Sequence, residues 1–259
     1  MSSGKYGNST GARDLSDWGR PLARFAASRL KEKNISVLMV TNTHLLMSIF
    51  SAVLIIDSNV LEGCLLLVVK GVVDAVDGEL ARIRKRPSHV GRYWDTIADT
   101  IGLGFVMYAF GQHLGWGILY TAGVVLAVLL QYSLFNHFSV RMRSLGEEDS
   151  VSRIDEETRP IAKPWEKQSH VDFLHMIYLV GFSWQDRLVG SITGKRRNEV
   201  SFELTVSSLL GYGFQSLIVL LLSLTNNLEA LGDLILYGNS SVAFLVVFSS
   251  HFQWNARST

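Results

Sequence analysis

The stretch of sequence that decides the fold is VVDAVDGELARIRKRPSHVGRYWDTIADTIG, residues 72–102. It places four aspartates among apolar residues: Asp74 and Asp77 before a basic turn, and Asp95 and Asp99 after it. A carboxylate at the centre of a membrane costs on the order of 2.5–3.5 kcal/mol on insertion scales, and less near the interface. Charges kept in such surroundings indicate a functional site.

The composition of the whole chain predicts a membrane protein. Of its 259 residues, 48% are hydrophobic and 18% are charged, whereas about a quarter are charged in an average soluble protein. The single cysteine, Cys64, excludes a disulfide within the chain. The formal net charge of +1 gives no general affinity for polyanions, so nucleic acid is not expected as a partner.

Apolar segments of about 20 residues, the length needed to cross a bilayer, recur along the chain. They predict an all-α fold, a bundle of six transmembrane helices. Hydropathy alone does not settle the second and third segments, because both contain charged residues. The six segments are 35–56, 60–81, 93–112, 116–140, 203–224 and 229–250.

The positions of lysine and arginine predict the topology. The connections 57–59, 113–115 and 225–228 contain neither residue, whereas the opposite connections and the termini contain all of them except Lys70 in the second segment. Because lysine and arginine are enriched on the cytoplasmic side, we expect a multi-pass membrane protein with both termini in the cytoplasm. The quoted stretch then lies at the cytoplasmic mouth of the bundle.

The first 34 residues predict a separate cytoplasmic region, ahead of a transmembrane domain over 35–259. Residues 1–12 are small and polar and predict a disordered tail. Residues 13–33 alternate apolar and basic residues at helical spacing, the pattern of an amphipathic helix lying on a membrane surface.

A long cytoplasmic segment, 141–202, interrupts the predicted domain. Its first part is charged and predicts a loop. Its apolar part, 171–184, is too short to cross a bilayer and predicts an interfacial or re-entrant element.

Helical spacing predicts that the four aspartates converge. Asp74 and Asp77 are three residues apart and Asp95 and Asp99 are four apart, so each pair lies on one helix face. The turn between the pairs allows the two helices to run antiparallel and to bring the carboxylates together. Divalent cations relieve the repulsion of such a cluster. Carboxylate oxygens, with no histidine or cysteine nearby, favour Mg²⁺ or Mn²⁺ over zinc.

Three neighbouring residues are suited to a phosphate ligand. Gly78 removes a side chain where a ligand approaches the helix, Ala81 keeps the same face open, and Arg82 offers a planar cationic fork. Carboxylates, a divalent metal and an arginine are together what phosphoryl transfer uses to hold a diphosphate. The basic residues 84–86 are interpreted as anchors on the cytoplasmic side.

The spacing D-x2-D-G-x2-A-R-x8-G-x3-D-x3-D, from Asp74 to Asp99, resembles the signature of the CDP-alcohol phosphatidyltransferase family. The six apolar segments and the preceding amphipathic helix are similar to that family as well. The resemblance implies an enzyme of phospholipid biosynthesis, in which the hydroxyl of an alcohol attacks the phosphate next to the lipid of a CDP-linked donor. CMP is then released.

The resemblance also implies roles for individual residues. Asp74, Asp77 and Asp95 would be the principal metal ligands, and Asp99 would complete the site and act as general base on the acceptor hydroxyl. Two Mg²⁺ or Mn²⁺ ions and a homodimer are implied in the same way. The implied contacts to the CDP moiety are Gly78, Ala81 and Arg82.

The acceptor stays open at this stage. Glycerol phosphate, inositol, inositol phosphate and serine all suit transfer from CDP-diacylglycerol, and some relatives pass a phospho-alcohol from a CDP-alcohol to diacylglycerol instead. Arg141, Arg143 and Lys70 could serve a phosphorylated acceptor, although cytoplasmic anchoring also explains the two arginines, and Lys70 is expected to pair with the face of Asp74. Asn42 is a candidate for nucleotide binding.

Three other functions fit less well. An intramembrane prenyltransferase would carry more spans and two distant aspartate motifs. An ion transporter or channel would place its carboxylates nearer the membrane midplane and would not need the alanine–arginine pair. An inert scaffold would not need an intact motif.

Overall fold

The structure is a computed structural model and describes residues 12–144, 158–194 and 200–251. Within these ranges the chain forms helices and the turns between them, without a strand, so the predicted all-α class is confirmed. The helices are α1 (Arg20–Leu30), α2 (Val37–Ile56), α3 (Val60–Ile83), α4 (His89–His113), α5 (Ile118–Ser144), α6 (Gln168–Gly181), α7 (Ser183–Ile192), α8 (Ser201–Ser207), α9 (Tyr212–Leu224), α10 (Leu231–Asp233) and α11 (Ser240–His251). Short 3-10 turns at Leu15–Asp17, Ser208–Leu210 and Leu228–Ala230, and a π-helical turn at Leu234–Asn239, complete these elements.

Each of the six predicted apolar segments is helical. Among the described residues, four helical stretches are long and apolar enough to cross a membrane: Val37–Ile56, Ile118–Ser144, Ser201–Leu224 and Leu228–His251. The helices α3 and α4, with 24 and 25 residues, are long enough but carry the charges of the quoted stretch. The six-span bundle therefore stays a prediction.

Two serines fix where the helices that carry the site begin. The hydroxyl of Ser36 accepts a hydrogen bond from the backbone N–H of Met39 at 3.1 Å, which caps α2. The hydroxyl of Ser88 accepts one from the backbone N–H of Gly91 at 2.8 Å, which caps α4. Such caps satisfy backbone donors that have no partner inside the helix.

The α2, α3 and α4 helices pack together into one unit. Glycines at the contacts allow this packing to be close. A Cβ added at Gly102 of α4 would lie 2.8 Å from the Cβ of Ser48, and one added at Gly63 of α3 would lie 3.1 Å from the carbonyl oxygen of Ser51. The close approach of α2 to both neighbours determines which of its side chains reach the aspartates.

The helix α1 lies inside the predicted amphipathic segment and packs against α3. It buries Ala23 and Ala27 completely and leaves Leu22 and Phe25 about 60% exposed, at 59% and 62%. Its location at a membrane surface stays a prediction, which the exposed apolar residues support. Residues 1–11 of the predicted tail lie outside the described residues.

The described part of segment 141–202 includes two short helices between α5 and α8. The predicted element 171–184 corresponds to α6, which has 14 residues, and to the start of α7. A carboxylate oxygen of Glu166 accepts hydrogen bonds from the hydroxyl of Ser88 and the backbone N–H of Val90, both at 2.8 Å. The segment is thereby attached to the first turn of α4. The charged residues 145–157 lie outside the described residues.

Candidate metal centre

The four aspartates of the quoted stretch converge around one side chain of α2, His44. The Nε2 atom of His44 lies 3.1 Å from Asp95 Oδ1, 3.4 Å from Asp74 Oδ1 and 3.8 Å from Asp77 Oδ2. The other ring nitrogen, Nδ1, lies 3.7 Å from Asp99 Oδ1. The expected meeting of the two aspartate pairs is therefore observed, with an imidazole at its centre.

Four of these side chains could hold a metal ion together. One possible ligand atom from each of His44, Asp74, Asp77 and Asp95 lies within 4.8 Å of the other three, and no other such group of three or more occurs among the described residues. Three carboxylates and one imidazole fit a divalent cation, because they supply negative charge and both oxygen and nitrogen donors.

The expectation of a centre without histidine is wrong. His44 lies 30 residues before Asp74, outside the quoted stretch, and is fully buried. The sequence does contain a signal for it, since polar residues recur at helical spacing through an otherwise apolar helix. Thr41, His44, Ser48 and Ser51 form this stripe, and all four are buried.

A second α2 residue binds the cluster directly. The hydroxyl of Thr41 donates a hydrogen bond to Asp77 Oδ2 at 2.9 Å. Its neighbour Asn42, the nucleotide candidate, instead accepts a hydrogen bond from the indole N–H of Trp94 at 2.8 Å. Thr41 therefore faces the carboxylates, whereas Asn42 contacts the outer side of α4.

Lys70 pairs with the cluster from the α3 side, as expected. Its Nζ atom lies 2.5 Å from Asp99 Oδ1 and 3.8 Å from Asp74 Oδ1. The ammonium also lies 4.2 Å above the centre of the Tyr212 ring of α9. Lys70 is 2% exposed, so it is a fixed cation beside the carboxylates.

The three predicted CDP contacts follow Asp77 along α3. A Cβ added at Gly78 would lie 3.4 Å from a guanidinium nitrogen of Arg82, which shows how close that side chain runs to the helix. Arg82 donates to Glu79 Oε1 at 2.9 Å and is 47% exposed, while Ala81 is half-buried. This arginine is therefore accessible to a ligand.

Glu79 connects α3 to α1. Its carboxylate also accepts a hydrogen bond from Arg20 and lies 3.6 Å from Arg24 Nε. Sequence reasoning assigned no role to Glu79, because its arginine partners come from a segment about 55–60 residues earlier in the chain.

A cavity of about 380 Å³ opens beside Asp95 and Asp99, between α4, α5, α7 and α9. Besides Lys70, Asp95 and Asp99, three charged side chains line it: Arg92, Arg143 and Asp186. Asp186 belongs to α7, within segment 141–202, and its carboxylate accepts hydrogen bonds from Tyr178 at 2.6 Å and Ser133 at 3.2 Å.

Of the two arginines suggested for the acceptor, one lines this cavity. Arg143 contributes to its wall, whereas Arg141 donates to the carbonyl oxygen of Gly194 at 2.9 Å. Arg141 therefore helps to attach the residues that follow α7 to α5.

Long apolar helices around a cluster of carboxylates are typical of an integral membrane enzyme. The family model described as CDP-alcohol phosphatidyltransferase matches residues 35–159, which include α2 to α5 and all four aspartates. The resemblance seen in the sequence is thus confirmed over residues 35–159, which match the model of a CDP-alcohol phosphatidyltransferase domain. Comparisons with curated proteins and with solved structures find no match.

Proposed function

We propose that this protein transfers a phosphatidyl group from CDP-diacylglycerol to the hydroxyl of a small polar alcohol and releases CMP. The observation that carries the proposal is the convergence of Asp74, Asp77, Asp95 and Asp99, from an intact family motif, beside a cavity large enough for a small alcohol. The coarser assignment, a transferase of the CDP-alcohol family, follows from the family match.

In the proposed site, Asp74, Asp77 and Asp95 hold the divalent cation, with Asp99 completing the set. A bound Mg²⁺ or Mn²⁺ supplies positive charge that stabilises the charge developing on the diphosphate. The sequence expectation of two ions stays a prediction. The close spacing of the donor atoms around His44 supports the assignment of this cluster as the metal site.

Asp99 is the proposed general base. Its side chain is 41% exposed and lines the cavity, so an acceptor hydroxyl can come within reach of its carboxylate. A general base must lie within hydrogen-bonding distance of the proton that it accepts. Lys70 holds the same carboxylate in place from the opposite helix.

Gly78, Ala81 and Arg82 are the proposed contacts to the CDP moiety. The exposed guanidinium of Arg82 suits the diphosphate, and its ion pair with Glu79 limits the positions that it can take. The missing side chain at Gly78 lets the Arg82 guanidinium lie close to α3, which places it on the same side of the helix as the proposed nucleotide.

The cavity is the proposed acceptor pocket. Arg92, Arg143 and Asp186 along its wall, together with Lys70, Asp95 and Asp99, favour an acceptor that carries charge, such as glycerol phosphate, inositol phosphate or serine, over uncharged inositol. The long cytoplasmic segment contributes Tyr178 and Asp186 to this wall, which supports the prediction that it extends the acceptor pocket.

We also propose that α3 and α4 cross the membrane, which gives six spans with both termini and the site at the cytoplasmic side. Large apolar side chains on both helices are exposed, in agreement with contact to lipid: Leu65 and Val69 on α3, and Ile101 and Phe105 on α4. The homodimer and the boundary between residues 1–34 and 35–259 remain predictions from the resemblance and the sequence.

The test is to identify the lipid product with purified protein. One arm supplies CDP-diacylglycerol, Mg²⁺ or Mn²⁺, and in turn glycerol phosphate, inositol, inositol phosphate and serine. The other arm supplies diacylglycerol and CDP-linked alcohols. Mass spectrometry should detect a phospholipid in the first arm. A product in the second arm alone would establish the alternative donor, and no product in either arm would refute the proposal.

A further inference from the structure

The geometry around His44 is that of a metal ligand. Adjacent ligands of an octahedral ion with bonds of about 2.1 Å lie about 3 Å apart. The distances from His44 Nε2 to oxygens of three carboxylates are 3.1, 3.4 and 3.8 Å. One hydrogen bond to Asp95 would explain the first of these distances, but not the proximity of the other two carboxylates.

The second ring nitrogen of His44 supports the same interpretation. Nδ1 is buried and makes no hydrogen bond within the described parts of the chain, yet it lies 3.7 Å from Asp99 Oδ1. A histidine that ligates a metal through one nitrogen almost always donates its other ring N–H to a carboxylate, a carbonyl or water. Asp99 occupies the position of that carboxylate.

Lys70 occupies the other side of the cluster. Its ammonium lies within 3.8 Å of oxygens from both Asp74, one of the four donors, and Asp99, which is outside that group. It therefore offsets negative charge on both carboxylates. With 2% exposure and the ring of Tyr212 at 4.2 Å, this ammonium is enclosed by the protein.

We propose that this chain holds one divalent ion, ligated by His44 Nε2 together with Asp74, Asp77 and Asp95, and that the ammonium of Lys70 serves as the second cation. This inference rests on the proposed transferase site and replaces the expected pair of ions with one ion and one lysine. An imidazole ligand favours Mn²⁺ over Mg²⁺, because nitrogen donors suit transition metals better.

The experiment titrates the purified full-length protein with Mn²⁺ alone, without donor or acceptor. Electron paramagnetic resonance of free Mn²⁺ gives the number of ions bound per chain, and electron spin-echo envelope modulation of bound Mn²⁺ detects nitrogen ligands. We expect one tightly bound ion whose nitrogen modulation changes when the histidines carry ¹⁵N. Two tightly bound ions, or a bound ion without nitrogen modulation, would overturn the proposal.

Variants then test the roles of His44 as metal ligand and of Lys70 as second cation. His44→Gln should remove the nitrogen modulation and weaken Mn²⁺ binding at least about tenfold, whereas His113→Gln, an exposed histidine at the far end of α4, should change neither. Lys70→Met should bind a second Mn²⁺. A Lys70→Met protein that still binds one ion would contradict the role given to Lys70. If a variant does not fold, the ion count and the nitrogen modulation of the unsubstituted protein still test the proposal.

The outcomes separate this inference from the proposed function. A protein that releases CMP but binds two ions would overturn the inference and leave the function intact. A protein that binds one ion through nitrogen but forms no lipid product would support the inference and refute the function.

Discussion

Replacing Glu79 by glutamine removes a negative charge that three arginine side chains share. The Glu79 side chain is 6% exposed and contacts Arg20, itself 12% exposed, whereas Arg24 and Arg82 are 37% and 47% exposed. Removing one partner of a buried ion pair costs about 3–5 kcal/mol, and a half-exposed pair contributes about 0.2–1 kcal/mol.

Because Arg20 keeps its bond to Asp17 and glutamine can still accept a hydrogen bond, we expect a total loss below the range for a buried ion pair, about 2–3 kcal/mol. For a chain of this size, each kcal/mol lowers the unfolding midpoint by about 2–4 °C, so the expected fall is about 4–12 °C. The KM for the CDP-linked donor should also rise, because Arg82 loses the carboxylate that orients it.

The single cysteine provides the assay. Cys64 is fully buried in α3, so a thiol-reactive fluorogenic dye reports its exposure as the protein unfolds on heating. Glu62→Gln is the matched control, since Glu62 is exposed in the first turn of the same helix. Equal unfolding midpoints for the Glu79→Gln and Glu62→Gln variants would refute the reasoning.

Three further predictions use paired variants or paired kinetic constants. Arg84 donates hydrogen bonds to four main-chain carbonyl groups of residues 30–35. Arg84→Gln should therefore lower the unfolding midpoint by several degrees, at about 0.5–1.5 kcal/mol per lost bond. Arg86→Gln should leave the midpoint unchanged, and equal midpoints for the two variants would count against this role of Arg84. Gly102→Ala should destabilise the protein by about 1–3 kcal/mol through overpacking. A Cβ added at Gly104 meets no atom within 4 Å, so Gly104→Ala should be neutral. If Gly102→Ala were neutral too, α2 and α4 would be able to separate. Asp186→Asn should raise the acceptor KM about tenfold and leave the donor KM unchanged, as steady-state kinetics can measure; an effect on the donor alone would exclude Asp186 from the acceptor pocket.

The quoted stretch predicts the carboxylate cluster because the spacing that groups the aspartates lies within that stretch. The i, i+3 and i, i+4 spacing puts each aspartate pair on one helix face. The short turn keeps the two faces near each other, although α3 and α4 pack mainly against α2 rather than against one another. The ranges of α3 and α4 follow for the same reason. The helix α3 begins where predicted, whereas its end and both ends of α4 differ from the predicted segments by a few residues. The cap at Ser88 extends α4 beyond the apolar run.

Local spacing does not predict contacts between residues that are far apart in the sequence. His44 reaches the cluster from α2, which packs closely on α4 at Gly102. The polar stripe of α2 marks a buried face but does not specify which helices that face meets. Arg84 was interpreted as an anchor on the cytoplasmic side, yet it binds carbonyl groups of a segment about 50 residues earlier. Both residues act through tertiary contacts, which composition and local spacing do not encode.

The most direct test of the central claim is CMP release from CDP-diacylglycerol in the presence of Mn²⁺ or Mg²⁺ and the acceptor panel. The account predicts release by the unsubstituted protein, its loss on chelation of the metal, and its loss in Asp99→Asn with much of the CDP binding retained. Release that persists at full rate in Asp99→Asn would remove Asp99 from the role of base. No CMP from the unsubstituted protein with any acceptor would contradict the proposed function itself.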